Sequence, residues 1–463
     1  MEQAHTTNRH LIAEIFAIGL LGFLGIVIET ALNIAFPLLS DLFHVTPAQI
    51  QWLTTGYMIV STILIPLSVF LRKRFSVITL FRFSVIVFSL GTLLAAISSN
   101  YAILLCARLL QGVSNGIALP LMFSVILQDA PRKQLGRMIG LGSLVIAFAP
   151  AIGPVFGGLV QTYLSWRAVF WLALPLMLVA WLLGEFSIPR AFTPTAQSVD
   201  LLGASLLGVF LVTSMLVIVN ISAGHFTNRS NLIEGVLAIL TLIAFIVTTR
   251  RAAAPLLDLR LFHRSAFTLC LVAFFLLQCL SLSMSYLIPN VLQLSFHSSP
   301  NVAGLLVLPA ALIDAIMSAI AGYVYDKTPA RLTILGGATL ILIVFIGSFF
   351  SPIDPMSLAI IYAIFMLGLG ACYANIMTYS LGNLPQSKTD DGNAIFMTAQ
   401  AYAGAVGIAL AASLVSFAQT AVPGRTLATS TLAGLRLNNW YLVITALLVL
   451  ILLIIGIRPK NWR

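Results

Sequence analysis

Residues 11–39 read LIAEIFAIGLLGFLGIVIETALNIAFPLL, and the reading of this stretch decides the fold. It exceeds the roughly 20 predominantly apolar residues that a helix needs to cross a hydrocarbon layer. Glu29 nevertheless stands in its middle. A carboxylate at that depth costs on the order of 2.5–3.5 kcal/mol or more unless it is neutralised, paired or wetted, so it marks a candidate site for moving something across a membrane. Asp314 repeats the anomaly in LLVLPAALIDAIMSAIAGYV, residues 305–324.

The whole chain shares the character of that stretch. Of 463 residues, 60% are hydrophobic and 8% charged, with a mean hydropathy of +1.04. Soluble domains carry roughly 25% charged residues, so a soluble domain is excluded. The longest polar gaps, near 189–200 and 250–264, are too short for a second folded unit, which predicts one all-α integral membrane body. The net charge of +10 comes from basic residues in short loops between apolar segments, which argues for membrane orientation and against nucleic acid. Cys106, Cys270, Cys279 and Cys372 fall inside apolar segments without paired spacing and read as buried thiols. With no nucleotide-binding loop and no metal-ligand spacing among the six histidines, neither ATP nor a metal is expected to supply the energy or the chemistry. The first apolar run, which no small-residue cleavage site follows, is expected to be retained rather than removed as a signal peptide.

Apolar segments fall near 13–37, 50–71, 77–97, 101–124, 136–160, 166–188, 200–222, 231–249, 265–290, 301–325, 332–350, 356–380, 393–418 and 439–457, which predicts fourteen spans with both termini on one side. With the termini inside, 19 basic residues fall on the cytoplasmic side, among them Arg9, the Arg72–Arg74 run, Arg190, Lys327, Arg331 and the final Arg463. Arg167, Arg229, Arg425 and Arg436 fall outside and Arg108 within a span, so 19 + 4 + 1 accounts for all 24 basic residues. One missed helix would invert every later loop, so this asymmetry supports the count. The loops VFLRKRFSV (from Val69) and GYVYDKTPAR (from Gly322) look like repeats of each other. A six–two–six organisation follows: 1–190 and 261–463 as related bundles and 191–260 as two inserted helices. The solute path then lies between the bundles near the membrane midplane.

Several motifs now fall into one order. They are LLCARLLQGVSNG (104–116), APAIGPVFGG (149–158), ETALNIAFP (29–37), QWLTTGY (51–57), SWRAVF (165–170) and PLLDLRLF (255–262). In this order the chain resembles the major facilitator superfamily, and within it the fourteen-span drug:proton antiporters. Arg108, Gln111 and Gly112 match the family's R-x-x-Q-G; Gly153, Pro154, Gly157 and Gly158 match its G-P-x-x-G-G. The family's loop motif departs in the first half, where Val69, Lys73 and Ser76 replace its Gly, Asp and second Gly. Its second-half copy keeps Gly322 and Asp326, with Lys327 and Arg331 following, so a charge latch between helices is expected there. The family's acid in span one aligns with Ile28, which displaces Glu29 by about 100° around the helix.

The resemblance implies roles for the singular residues. Glu29 and Asp314 are expected to couple protons, with Arg108 beside the central cavity tuning the nearby acid. Burial favours a neutral carboxyl and a guanidinium favours an ionised one, and opposing influences can poise a group to load and release a proton. Asp314 lies 12 residues before Asp326, or roughly 18 Å of helix, and so is deep. Glu29 and Asn33 share a helix face; with Tyr57, Gln278, Tyr286, Asn290, Asp314 and Asn375 they form the expected substrate set. Gln51, Trp52, Gln400 and Tyr402 are further hydrogen-bonding or aromatic candidates, a set that suits flat amphipathic cations. The span-five glycines, with Pro150 and Pro154, are expected to form a close, leak-tight hinge between the halves.

These readings converge on a proton-driven exporter of cationic or zwitterionic drugs. It would be a monomer in the plasma membrane, drawing on the proton gradient with no cofactor, no nucleotide and no nucleic-acid partner. Export of an endogenous metabolite, siderophore or lipid-like solute is the alternative. A membrane sensor with a transporter-like body is the alternative outside transport.

Overall fold

In the computed structural model the described residues are 2–45, 47–50, 52–189, 200–222, 229–252, 257–421 and 426–457, and all regular structure among them is helical. Gln51, Arg190, Arg425, Arg458, Lys460 and Arg463 lie outside them, as do the side chains of Arg9 and Pro154. The helices are α1 (Glu2–Ile34), the short α2 (Phe36–Phe43) and α3 (Pro47–Ile50), α4 (Trp52–Arg74), α5 (Val77–Ala96) and α6 (Tyr101–Asp129). Then come α7 (Leu135–Tyr163), α8 (Ala168–Ser187), α9 (Leu201–Ser222), α10 (Arg229–Arg251) and α11 (Ser265–Leu294). The last are α12 (Pro300–Lys327), α13 (Ala330–Gly347), α14 (Pro355–Gly382), α15 (Gln386–Ala421) and α16 (Leu427–Gly456).

Local chemistry sets the ends. Ser76, Asn100, Ser299 and Thr426 each turn a side-chain oxygen onto the backbone amide three residues on, and Asp354 takes the amides of Met356 and Ser357 at 3.0 Å each. Each cap satisfies an amide that the first turn leaves free. Prolines 66, 120, 175, 289 and 309 sit inside helices, which neighbouring helices tolerate in a membrane protein. Several of the long helices overrun the expected apolar segments: α16 begins at Leu427 rather than 439, and α15 at Gln386 rather than 393. Hydropathy reads only the apolar part of a helix that polar residues such as Ser430 and Asn438 continue. By length and composition eleven helices among the described residues are able to cross a membrane, or twelve if Arg132–Pro150 and Val155–Tyr163, bent by 42° within the α7 region, count as one span. Trp52–Ser68 and Leu202–Ile218 are shorter apolar helices.

Helix α1 packs on α6, α7 and α8, while α6 also packs on α4 and α5; α11 packs on α14, α15 and α16, while α14 also packs on α12 and α13. The two groups meet chiefly where α7 crosses α12 and where α15 meets α4 and α6. Helices α9 and α10 pair with each other, and α9 lies across α4 and α15, spanning the seam between the groups. Outward faces carry bare apolar side chains such as Leu178, Ile239 and Ile444, as a lipid-facing surface requires.

Glycine sets the closest crossings. A β-carbon on Gly157 would stand 2.6 Å from the α-carbon of Ala31, and one on Gly153 would collide with Thr30. These two residues therefore press α7 onto α1 inside the first group, while Gly158 meets nothing within 4 Å. The expected hinge between the halves is thus not made by this motif. The cross-group approach falls about five turns earlier, where β-carbons on Gly136 and Gly140 would stand 2.7 and 2.8 Å from the carbonyls of Gly322 and Ser318. The spacing Gly136-x-x-x-Gly140 is a small-residue seam of the kind that lets two helix backbones touch.

Candidate functional site

A cavity of about 350 Å³ lies between the groups, walled by α1, α4, α6 and α7 on one side and by α11, α12, α14 and α15 on the other. Glu29 and Asp314 both line it. So do Tyr57, Gln278 and Gln400 of the other expected residues. The two acids therefore share one chamber although 285 positions separate them (314 − 29). Among the described residues neither carboxylate is hydrogen-bonded or ion-paired, and no basic side chain lines the chamber.

Arg108 is fully buried yet stands behind the wall rather than in the cavity. Its Nε donates to the carbonyl of Leu53 at 3.1 Å and one terminal nitrogen donates to Gln111 Oε1 at 2.7 Å. Gln111 passes its own amide to Thr92 at 2.9 Å. The guanidinium carbon lies 4.2 Å from the centroid of the Tyr57 ring, a cation–π contact that fixes this ring at the cavity wall. Arg108 acts on Glu29 through the field and not through a bond. The far wall is aromatic and thioether-rich: Phe274 stacks on Tyr373 with centroids 4.1 Å apart, beside Met366, Met377 and Met397. Such walls accommodate varied apolar shapes.

The remaining expected substrate residues do not line this chamber. Asn33 is exposed and accepts from the Thr54 hydroxyl at 2.7 Å. Asn290 donates to the Tyr286 carbonyl at 2.7 Å. Asn375, buried in α14, donates to the carbonyls of Ala321 and Ala371 at 3.2 and 2.9 Å and so ties α14 to α12. Tyr402 lies 6.2 Å, ring to ring, from Phe210 of α9, and Trp52 is exposed. Asn115, Tyr362 and Tyr373 line the cavity and were missed by sequence reasoning. The signal for Asn115 was its place one turn beyond Gln111 in LLCARLLQGVSNG. Glu14, also missed, is buried in α1 with Oε1 unpartnered and lies in the field of Arg72 and Asp129.

Polar bonds across the groups gather at one end, where α4 and α12 finish and α7 and α15 begin. Asp326 accepts from the amides of Gly136 and Arg137 at 2.8 Å each, capping the first turn of α7 with a carboxylate from the opposite group. Arg331 stands half-buried in the first turn of α13. The first-half copy of the loop, where Lys73 stands in place of the family's acid, is bonded as well. Lys73, at the position of the missing acid, pairs with Asp391 at 3.3 Å. Ser124 and Gln128 bond Asp390, and Asn393 donates to the carbonyl of Pro120 at 2.9 Å. The charge has changed sides: the acid sits on α15 and the base on α4.

An all-helical membrane body of two helix groups around a central chamber is the arrangement of a solute transporter rather than an enzyme. The Major Facilitator Superfamily model matches residues 18–408, and the chain belongs to that family of multi-pass membrane transporters. It is 33% identical over 404 residues to the lincomycin resistance protein LmrB of Bacillus subtilis, covering 86% of this chain and 84% of that one. It is 28% identical over 387 residues to a multidrug resistance protein B homolog of Mycobacterium tuberculosis, covering 81% and 71%. The solved proton:xylose symporter XylE shares the fold, with a TM-score of 0.66 at 12% identity over 97% of this chain and 95% of that one.

Proposed function

We propose that this chain is a proton-coupled exporter of amphipathic cationic compounds, a fourteen-span transporter with both termini in the cytoplasm, working by alternating access. The observation that carries the reading is the pairing of Glu29 and Asp314 in one chamber that no basic side chain lines. A buried carboxylate requires a positive companion, and here that companion is either a proton or the cationic cargo. Binding one displaces the other, so exchange needs no second gate chemistry. The names of the relatives, lincomycin resistance and multidrug resistance proteins, support a drug as cargo. In this orientation the bonded end carrying Lys73 and Asp326 is cytoplasmic, and opening it admits cargo from inside.

The test is transport by purified protein in vesicles with an imposed pH gradient, over a panel of cationic dyes, quinolones and lincomycin. Export that collapses with the gradient and fails in both Glu29→Gln and Asp314→Asn is the expected result. Export indifferent to the gradient, or unaltered in both variants, contradicts the reading.

A further inference from the structure

One corner of the chamber holds polar atoms without partners. Tyr57 is 1% exposed and Asn115 is 6% exposed; both line the cavity. Among the described residues the Tyr57 hydroxyl and Asn115 Oδ1 have no hydrogen-bond partner. The amide nitrogen of Asn115 is turned to Ser61 Oγ at 3.4 Å, which leaves its oxygen as an acceptor. The two oxygens converge on Gly25, where an added β-carbon would stand 2.8 Å from the Tyr57 hydroxyl and 3.0 Å from Asn115 Oδ1. Glu29 lies four residues on, on the same face of α1, and its carboxylate adds a further acceptor and a negative charge. Gly25 places no side chain between these two oxygens.

Resting on the exporter reading above, we propose that this corner recognises a protonated amine through its N–H donors, and that a quaternary ammonium is disfavoured there. An ammonium nitrogen with N–H groups offers donors in several directions, as a lysine head does, and matches a carboxylate, an amide oxygen and a hydroxyl at once. A quaternary nitrogen satisfies the charge of Glu29 and leaves the two oxygens unpaired. Sites that bury unpaired acceptors discriminate strongly against ligands that lack the donors. The aromatic and thioether wall beside Asp314 imposes no such requirement.

The experiment measures binding of two dansyl probes to the full-length protein in lipid nanodiscs. One probe ends in a primary alkylammonium and the other in trimethylammonium on the same linker. The wild-type protein is expected to prefer the primary amine by about tenfold or more, the scale of hydrogen bonds to charged groups. Gly25→Ala, which fills the corner, is expected to reduce that preference to about twofold or less, and Tyr57→Phe, which keeps the ring against Arg108, to lower it by roughly three- to tenfold. If Gly25→Ala does not elute as a folded protein, Tyr57→Phe and Asn115→Leu carry the comparison. Equal affinities in the wild type, or a preference untouched by these variants, overturn the proposal. Proton-driven export of both probes with equal apparent affinity leaves the exporter reading standing while this inference falls; if neither probe is bound or moved, both fall.

Discussion

At the end where α4 and α12 finish, Asp326, Asp390 and Asp391 each hold donors from the opposite helix group, whereas in the chamber Glu29 and Asp314 hold none among the described residues. Both regions lie on the same seam. In one the polar atoms bond each other across the groups while these touch, and in the other the acids have no such partner across the seam. The closing end therefore behaves as a contact to be made and broken, since each group carries polar atoms that water can take over when they part. On the proposed reading, the chamber serves as the binding site in either state.

The comparison breaks most readily at the glycine crossing. Gly140→Leu forces a branched side chain against the Ser318 carbonyl, where a β-carbon alone would stand 2.8 Å away; overpacking of this kind costs typically 1–3 kcal/mol, occasionally more. The expected outcome is a seam held open, read as increased labelling of a cysteine placed at Gln128 by a membrane-impermeant maleimide from the side of that end. Next comes Asp326→Ala, which removes two charge-assisted bonds to the first turn of α7 and is expected to weaken closure by about 1.5–3 kcal/mol. The same labelling assay reads it.

Lys73→Asp and Asp391→Lys sharpen the contrast between the two loop copies. Either change alone places like charges across the seam, and the double swap restores an ion pair of reversed sense. A double-mutant cycle on the labelling rate is expected to show coupling of about 0.5–3 kcal/mol, and strict additivity would show that the pair does not hold the seam. The smallest effect is at the rim. Against the partial burial that would raise it, Lys388 at 2.6 Å and the amide of Arg260 hold the Asp258 carboxyl below the usual carboxylate range. A depressed carboxyl stabilises the fold above its unfolded-state pKa and loses that contribution as the pH falls through the folded value. Asp258→Asn is therefore expected to cost no more than about 1 kcal/mol near neutrality, as exposed pairs do, with the difference in thermal midpoint vanishing in acid.

Much of this was legible in one dimension, because burying apolar helices in lipid leaves a strong linear trace. The helices follow the apolar segments, and Glu29 and Asp314, singled out by their positions within them, both line the inner chamber. Which polar residues face the chamber did not follow. Tyr57, Gln278 and Gln400 reach it, but Asn33, Asn290 and Asn375 bond elsewhere, because a helical residue's direction depends on rotation and tilt that packing sets. The inverted latch was hidden for another reason. Asp390 and Asp391 read as the polar start of a span, and nothing local reveals that Lys73, 318 residues before Asp391, waits opposite. The span-five motif was misread in its partner: the family-like glycines 153 and 157 press on α1, and the crossing between groups belongs to Gly136 and Gly140.

The central claim is that cargo and protons exchange for the same chamber carboxylates. It is tested most directly by following the pH of weakly buffered, detergent-solubilised protein as the primary-amine dansyl probe binds. The account predicts net proton release on binding, abolished in the Glu29→Gln, Asp314→Asn double variant. Saturable binding to the wild-type protein with no proton release, or undiminished release from the double variant, would contradict it.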